Sequence, residues 1–267
     1  MSDKKKSIVF VDVNVDLFKR CFFQEAKEPA LKRKAPRASE ESWNSFELII
    51  INTKSDTASD DLVRVLQNPG VRSVVIQNTE MGSSILSILK RFYDSGGLVV
   101  HFGISTKQND PSTLSQQFGF PGAWKFSAYT NHSYEITSEG WDCLGYDVEE
   151  QERTKSFLLD VPIQDRWIVP KAQPLHKYIS DWAGSLDGDE PDEEWKTEAE
   201  RAKAGYVKYC EEVYRQCPLA VHRNKNGGRL AYIGFANSDG NIPRIVRLLV
   251  TNKNLPNTNK CRSQNGF

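Results

Sequence analysis

Residues 95–97, Ser-Gly-Gly, followed by residues 98–106, LVVHFGIST, constrain this chain more than any other stretch. Two consecutive glycines end a helix at little cost, because the left-handed closing conformation carries no Cβ penalty at glycine. Leu98, Val99, Val100 and Phe102 then form a short apolar run. Such a run between turn residues marks a strand buried on both faces, as in a parallel sheet. Gly103, Ile104 and Ser105 turn the chain sharply at its end. A strand ending in glycine, any residue and a nucleophile is one way an α/β fold lifts a reactive side chain above its sheet. Ser105 therefore has two readings, a turn hydroxyl that caps backbone groups or a nucleophile.

The rest of the chain repeats this alternation. Residues 7–13 (SIVFVDV) read as a central strand, apolar on both sides. Residues 46–51 (FELIII) read as a second strand and 72–77 (RSVVIQ) as a third. Between and after them the pattern predicts helices over 59–66 and 82–94, the latter with Ile85, Leu86, Leu89 and Phe92 on one face. Strands alternating with helices predict a doubly wound, mostly parallel sheet flanked by helices. Residues 124–146 read as a strand followed by a helical turn capped by Thr137, and 166–169 as a further short strand. Residues 170–191 read as a loop-rich excursion before a long helix over 192–216, so that 170–216 forms a helical insertion. In that helix Trp195, Ala199, Ala202, Tyr206, Tyr209 and Val213 recur at spacings of three and four, which makes one packing stripe. Residues 219–223 and 229–235 flank a turn of Asn and Gly residues and predict a β-hairpin. A helix over 242–250 closes the series. The expectation is a single α/β domain over 1–250 and a polar, disordered tail over 251–267. Residues 18–45 read as a long solvated loop with a short helix near 17–23.

Composition narrows the function classes. Lys plus Arg and Asp plus Glu both number 35, so the formal net charge is zero. That argues against a surface built for nucleic acid or anionic membranes. No apolar run reaches the length of a membrane span, and the basic start lacks a signal-peptide pattern. Five dispersed cysteines with no CxxC pair suggest neither a zinc site nor a disulfide framework. The expectations are a cytoplasmic protein with no metal and no cofactor, since no phosphate-binding or dinucleotide glycine pattern follows a strand. The acidic run at 187–194 fails the calcium-loop pattern and reads as a solvated helix entry. Lys32, Arg33 and Lys34 read as a solvated basic patch in the long loop.

The passage ILKRFYDSGGLVVHFG, the triplet Gly103-Ile104-Ser105 and the segment GRLAYIGFANSDGNIPRIVRLLV, in that order, resemble the class I glutamine amidotransferase-like superfamily. The nearest likeness is to its trehalose-utilisation-type members. The resemblance implies a flavodoxin-like α/β fold. It sets Ser105 where the amidotransferases carry their cysteine. It also exposes departures. Lys107 stands where the family has a glycine, and Ala236-Asn237-Ser238 stand where it has its histidine and glutamate. A serine without an adjacent base is a poor nucleophile. Glutamine amidotransfer is thus the activity least expected here.

Two functions from different classes follow. The first is a non-amidotransferase binding protein, with a degenerate site for a small molecule or a protein partner at the C-terminal rim of the strands. That rim would carry Asp12, Asn14, Gly82, His101, Asn237 and Asp239. The second is a serine hydrolase acting on an ester or amide. Ser105 would be its nucleophile, His132 its base and Glu80 an orienter. Backbone N–H groups near Gly82 and Thr106 would stabilise the oxyanion. Each residue also has a plainer reading: His101 as a core histidine, His132 in a surface loop, Glu80 at a helix N-terminus, His222 as structural or exposed. A purely structural subunit would instead show an exposed apolar patch, expected on the long aromatic-striped helix.

Overall fold

In the computed structural model the described residues are 6–13, 46–77, 81–102, 111–122, 124–144, 154–183, 194–235 and 241–251. In chain order the elements begin with β1 (Lys6–Val11), β2 (Phe46–Ile51), α1 (Ala58–Leu66), β3 (Val71–Ile76), α2 (Ser83–Asp94) and β4 (Leu98–Phe102). Then come α3 (Pro111–Gln117), β5 (Lys125–His132), β6 (Tyr134–Ile136), α4 (Ser138–Leu144), β7 (Thr154–Asp160) and β8 (Arg166–Pro170). The last are α5 (Leu175–Ala183), α6 (Glu194–Arg215), β9 (Gln216–Cys217), β10 (Leu219–Arg223), β11 (Arg229–Ile233) and α7 (Asn241–Thr251).

The main sheet has eight strands in the order β2-β1-β3-β4-β11-β10-β8-β6. The first five are parallel to one another. β10, β8 and β6 continue the sheet antiparallel. Period-two alternation sends successive side chains to opposite faces. Ile8, Phe10, Val75, Val100, Val221 and Ile233 pack on one face beneath Ile245, Val246 and Leu249 of α7. Val9, Val11, Val74, Ile76, Val99 and Leu230 pack on the other, against Leu62 and Leu66 of α1 and Ile85, Leu89 and Phe92 of α2. Both faces of the central strands are therefore covered, which is why their sequences read as continuous apolar runs.

The passage from α2 to β4 follows the glycine logic. Gly96 sits at φ 95°. The Gly97 N–H donates to the Phe92 carbonyl at 2.9 Å and the Gly96 N–H to the Tyr93 carbonyl at 3.0 Å. This pair of bonds is the Schellman closure of a helix. Thr137 caps α4 as its sequence suggests: its hydroxyl accepts from the Gly140 N–H at 3.2 Å and donates to the Arg166 carbonyl at 2.7 Å.

Three regions differ from the sequence expectation. The segment read as loop-rich, 170–191, contains α5, whose Tyr178 packs on Tyr206 and Tyr209 of α6. Strand β7 had no sequence counterpart. With β5 and β9 it forms a separate three-stranded antiparallel sheet, β5-β7-β9. Helix α3 was likewise not anticipated. The expected loop over 18–45 with its short helix near 17–23, the turn at 103–105, the acidic run from 187 through 193, residues 236–240 and the tail from 252 lie outside the described residues.

The small sheet is stitched onto the main one. The Phe157 N–H donates to the Gly234 carbonyl at 2.7 Å, and Ser156 bridges Phe235. β7 thus crosses the C-terminal end of β11.

Candidate functional site

The C-terminal ends of the parallel strands meet along one edge, and Asp12 opens it. Asp12 follows β1 at φ 53°, a left-handed conformation that Asp tolerates better than most residues. Its Oδ1 accepts the Thr53 N–H at 2.8 Å and its Oδ2 accepts the Thr53 hydroxyl. Its own N–H donates to the Ile51 carbonyl at 3.0 Å. Both carboxylate oxygens are engaged in tying β1 to the turn after β2. Gly82 is the N-cap residue of α2, six residues past the last residue of β3, with no side-chain cap bond.

His101 lies inside the covered face of the sheet and lines no open rim. The alternation of β4 turns its ring toward the α1–α2 side, where it stacks on Tyr232 with ring centroids 5.8 Å apart. Its exposure is 3% and neither ring nitrogen has a hydrogen-bond partner. Burial lowers its pKa to about 4, so the ring is neutral at pH 7. The buried Tyr232 hydroxyl also lacks a partner, and burial raises its pKa. The nearby Cys217 thiol is pushed up to about 12, chiefly by desolvation. A thiol so protonated is not a nucleophile.

His132 ends β5 and pairs with Thr154, two residues before the Ser156 that bridges Phe235. It is β7, through Ser156, that meets the chain just past β11; Thr130 is the β5 residue across from Ser156, so His132 stands one strand away from Phe235. Ser105, Glu80, Asn14, Asn237 and Asp239 lie outside the described residues.

The carboxylate-held imidazole that the structure does describe sits at the other end of the sheet. Asp165 is 2% exposed. It accepts the Trp124 Nε1–H at 2.9 Å and faces His222 Nδ1 at 3.0 Å. Phe120 stacks on the His222 ring at 3.8 Å between centroids. β10 runs antiparallel to β11, so His222 lies near the hairpin turn and the N-terminal end of β11. The sequence alone reads His222 as structural or exposed and does not point to Asp165. The two are 57 residues apart, and no local pattern links them.

A third feature lies on α6. An open groove of about 500 Å³ is lined by Ile163, Arg166, Tyr206, Val207, Cys210, Glu211, Tyr214 and Arg215. Ile163, Val207 and Tyr214 are 74%, 59% and 42% exposed. Arg166 is held in place: its Nε donates to the Val161 carbonyl at 2.9 Å, and its Nη1 donates to the Tyr214 carbonyl. Behind the groove, the Tyr206 hydroxyl donates to the Gln173 carbonyl at 2.9 Å, and the Gln173 N–H donates to the Tyr209 hydroxyl at 3.3 Å. These bonds anchor α6 by its tyrosine stripe and, among the described residues, leave the opposite side free.

Among the described residues no group of three or more His, Cys, Asp or Glu side chains could hold a metal ion. Among the same residues no helix is long and apolar enough to cross a membrane.

No family model and no curated protein matches this chain. Among solved structures, one titled mmIFT52 N-terminal domain aligns over 91% of this chain and 93% of its own, at 10% identity and a TM-score of 0.47.

Proposed function

We propose that this protein acts by binding a protein partner and not by turning over a substrate, with the groove on α6 as the contact surface. The observation that carries this reading is the set of exposed Ile163, Val207 and Tyr214 around one groove, bordered by Arg166, Glu211 and Arg215. Apolar side chains gathered on a surface and ringed by charge are what a protein contact uses. The strand-end rim offers less. Asp12 is spent on Thr53, and His101 is sealed and neutral.

The architecture we propose is a doubly wound, flavodoxin-like sheet of the class I glutamine amidotransferase-like kind, with a degenerate reactive edge. The parallel order β2-β1-β3-β4-β11 and the cover on both faces support it. Lys107 and the absence of a histidine over 236–238 support the degeneracy.

Two measurements test the reading. A fluorophosphonate probe leaves the wild type unlabelled. The dye anilinonaphthalene sulfonate binds the dilute native protein, and Val207→Asp removes most of its fluorescence. Dye binding indifferent to Val207→Asp would sink the groove as a contact surface.

One observation favours the hydrolase reading. His132 closes the β5 strand of the small sheet, whose middle strand β7 pairs through Ser156 with Phe235 just past β11, and β11 lies beside the strand that leads to Ser105. On that reading Ser105 attacks an ester or amide carbonyl, His132 takes its proton and passes it to the departing alcohol or amine, water then releases the acyl group, and Glu80 orients the ring. Labelling of the wild type that disappears in both Ser105→Ala and His132→Ala would establish it.

A further inference from the structure

The free side of α6 carries a charge pattern that complements itself. At ~100° per residue, Glu200, Lys203, Glu211 and Tyr214 fall within about 40° of the direction of Val207. All of them are exposed, whereas Ala202 and Val213 on the opposite side are buried. Among the described residues Glu200, Lys203 and Glu211 join no ion pair; the pair on this stretch is Lys208 with Glu212.

The order along this side is negative, positive, apolar, negative, apolar, with Arg215 one residue beyond Tyr214. Reversing the helix about Val207 lays Lys203 opposite Glu211 and brings Glu200 next to Arg215. A parallel, in-register pairing would set Lys203 on Lys203 and Glu211 on Glu211. The pattern therefore selects the antiparallel arrangement and disfavours the parallel one, with Val207 on its own symmetry mate at the centre. Such self-complementarity is what a two-fold interface demands, because each contact must occur twice.

We propose that the partner on this face is a second copy of this chain, docked antiparallel on a two-fold axis through Val207. The proposal rests on the groove being a contact surface. Val207 and Tyr214 form its apolar centre, and Lys203–Glu211 and Glu200–Arg215 its two repeated charge pairs. A single helix face with its flank is a small interface. Association is therefore weak and visible in the micromolar range.

The test is sedimentation equilibrium of the full chain over a concentration series. The wild type approaches twice its monomer mass at the highest concentrations. Val207→Asp stays monomeric. Lys203→Glu lowers the association constant about tenfold, since it removes two attractions and adds two repulsions. The double swap Lys203→Glu/Glu211→Lys restores it to within a few-fold of wild type. All three substituted positions, 203, 207 and 211, are exposed, so unchanged far-ultraviolet circular dichroism is expected and is recorded alongside. A monomeric wild type at every concentration, or a double swap that fails to restore the mass, overturns the proposal. If the wild type is monomeric while dye binding still depends on Val207, the second copy is wrong and the groove stands. If it is monomeric and the dye ignores Val207→Asp, both are wrong.

Discussion

His101→Leu isolates the consequence of sealing an imidazole inside the sheet. The ring is 3% exposed with both nitrogens unpartnered, and burial lowers its pKa to about 4. In the unfolded chain a histidine takes up its proton near pH 6.5. Between these values the unfolded state binds a proton that the folded state refuses, so stability falls as the pH drops from 6.5 toward 4. This group alone costs about 0.2 kcal/mol at pH 7 and about 2 kcal/mol at pH 5. Leucine carries no such proton and leaves no unpaired buried nitrogen, so at pH 7 the variant should equal or exceed the wild type by about 1 kcal/mol. The gap should then widen by about 2 kcal/mol at pH 5. Urea unfolding at the two pH values reads this directly. With a slope of about 2–3 kcal/mol/M, the midpoints separate by a further ~0.7–1 M on acidification. The other titrating groups are common to both proteins and cancel. A gap that does not change with pH would mean the ring titrates as if in water. A variant less stable than wild type at both pH values would mean the ring forms bonds that matter.

Further perturbations probe the frame around the site. Asp165→Ala removes the acceptor shared by Trp124 and His222 and should cost about 3 kcal/mol in urea unfolding, with an altered Trp124 emission. Gly228→Ala places a Cβ 1.8 Å from the Tyr93 carbonyl oxygen, so it should destabilise by about 2 kcal/mol or more, read as a lowered thermal midpoint. Thr53→Val deletes the hydroxyl bond to Asp12 and leaves the backbone bond in place. It should cost about 1–2 kcal/mol without changing dye binding on α6, and a simultaneous loss of dye fluorescence would contradict the separation of rim and groove.

The parts of this fold that can be read from sequence are those whose determinants are local. The Schellman closure needs only Gly96 and Gly97, and β4 spans residues 98–102 as its apolar run suggests. The β10–β11 turn is set by Asn224, whose Oδ1 accepts the Asn226 and Gly228 N–H groups at 2.9 and 2.8 Å, and by Gly227 at φ 82°. The tyrosine stripe of α6 packs as its spacing predicts, with Ala202 and Val213 buried and Tyr206 and Tyr209 clasped by Tyr178. The three-stranded sheet is different. β5 reads KFSAYTNH and pairs along its length with β7, so its strand conformation comes from a partner more than twenty residues away. The Asp165–His222 pair is equally non-local. His101 was legible as a core histidine, but the absence of any partner for its ring depends on packing from several elements.

The central claim is that the protein meets its partner through the free side of α6 and not through the strand ends. The most direct measurement is a nuclear magnetic resonance titration of the dilute protein with anilinonaphthalene sulfonate. The account predicts amide shifts gathered at Ile163, Val207, Tyr214 and Arg215. Shifts gathered instead at Gln77, Gly82 and Phe102, along the strand ends, would contradict it.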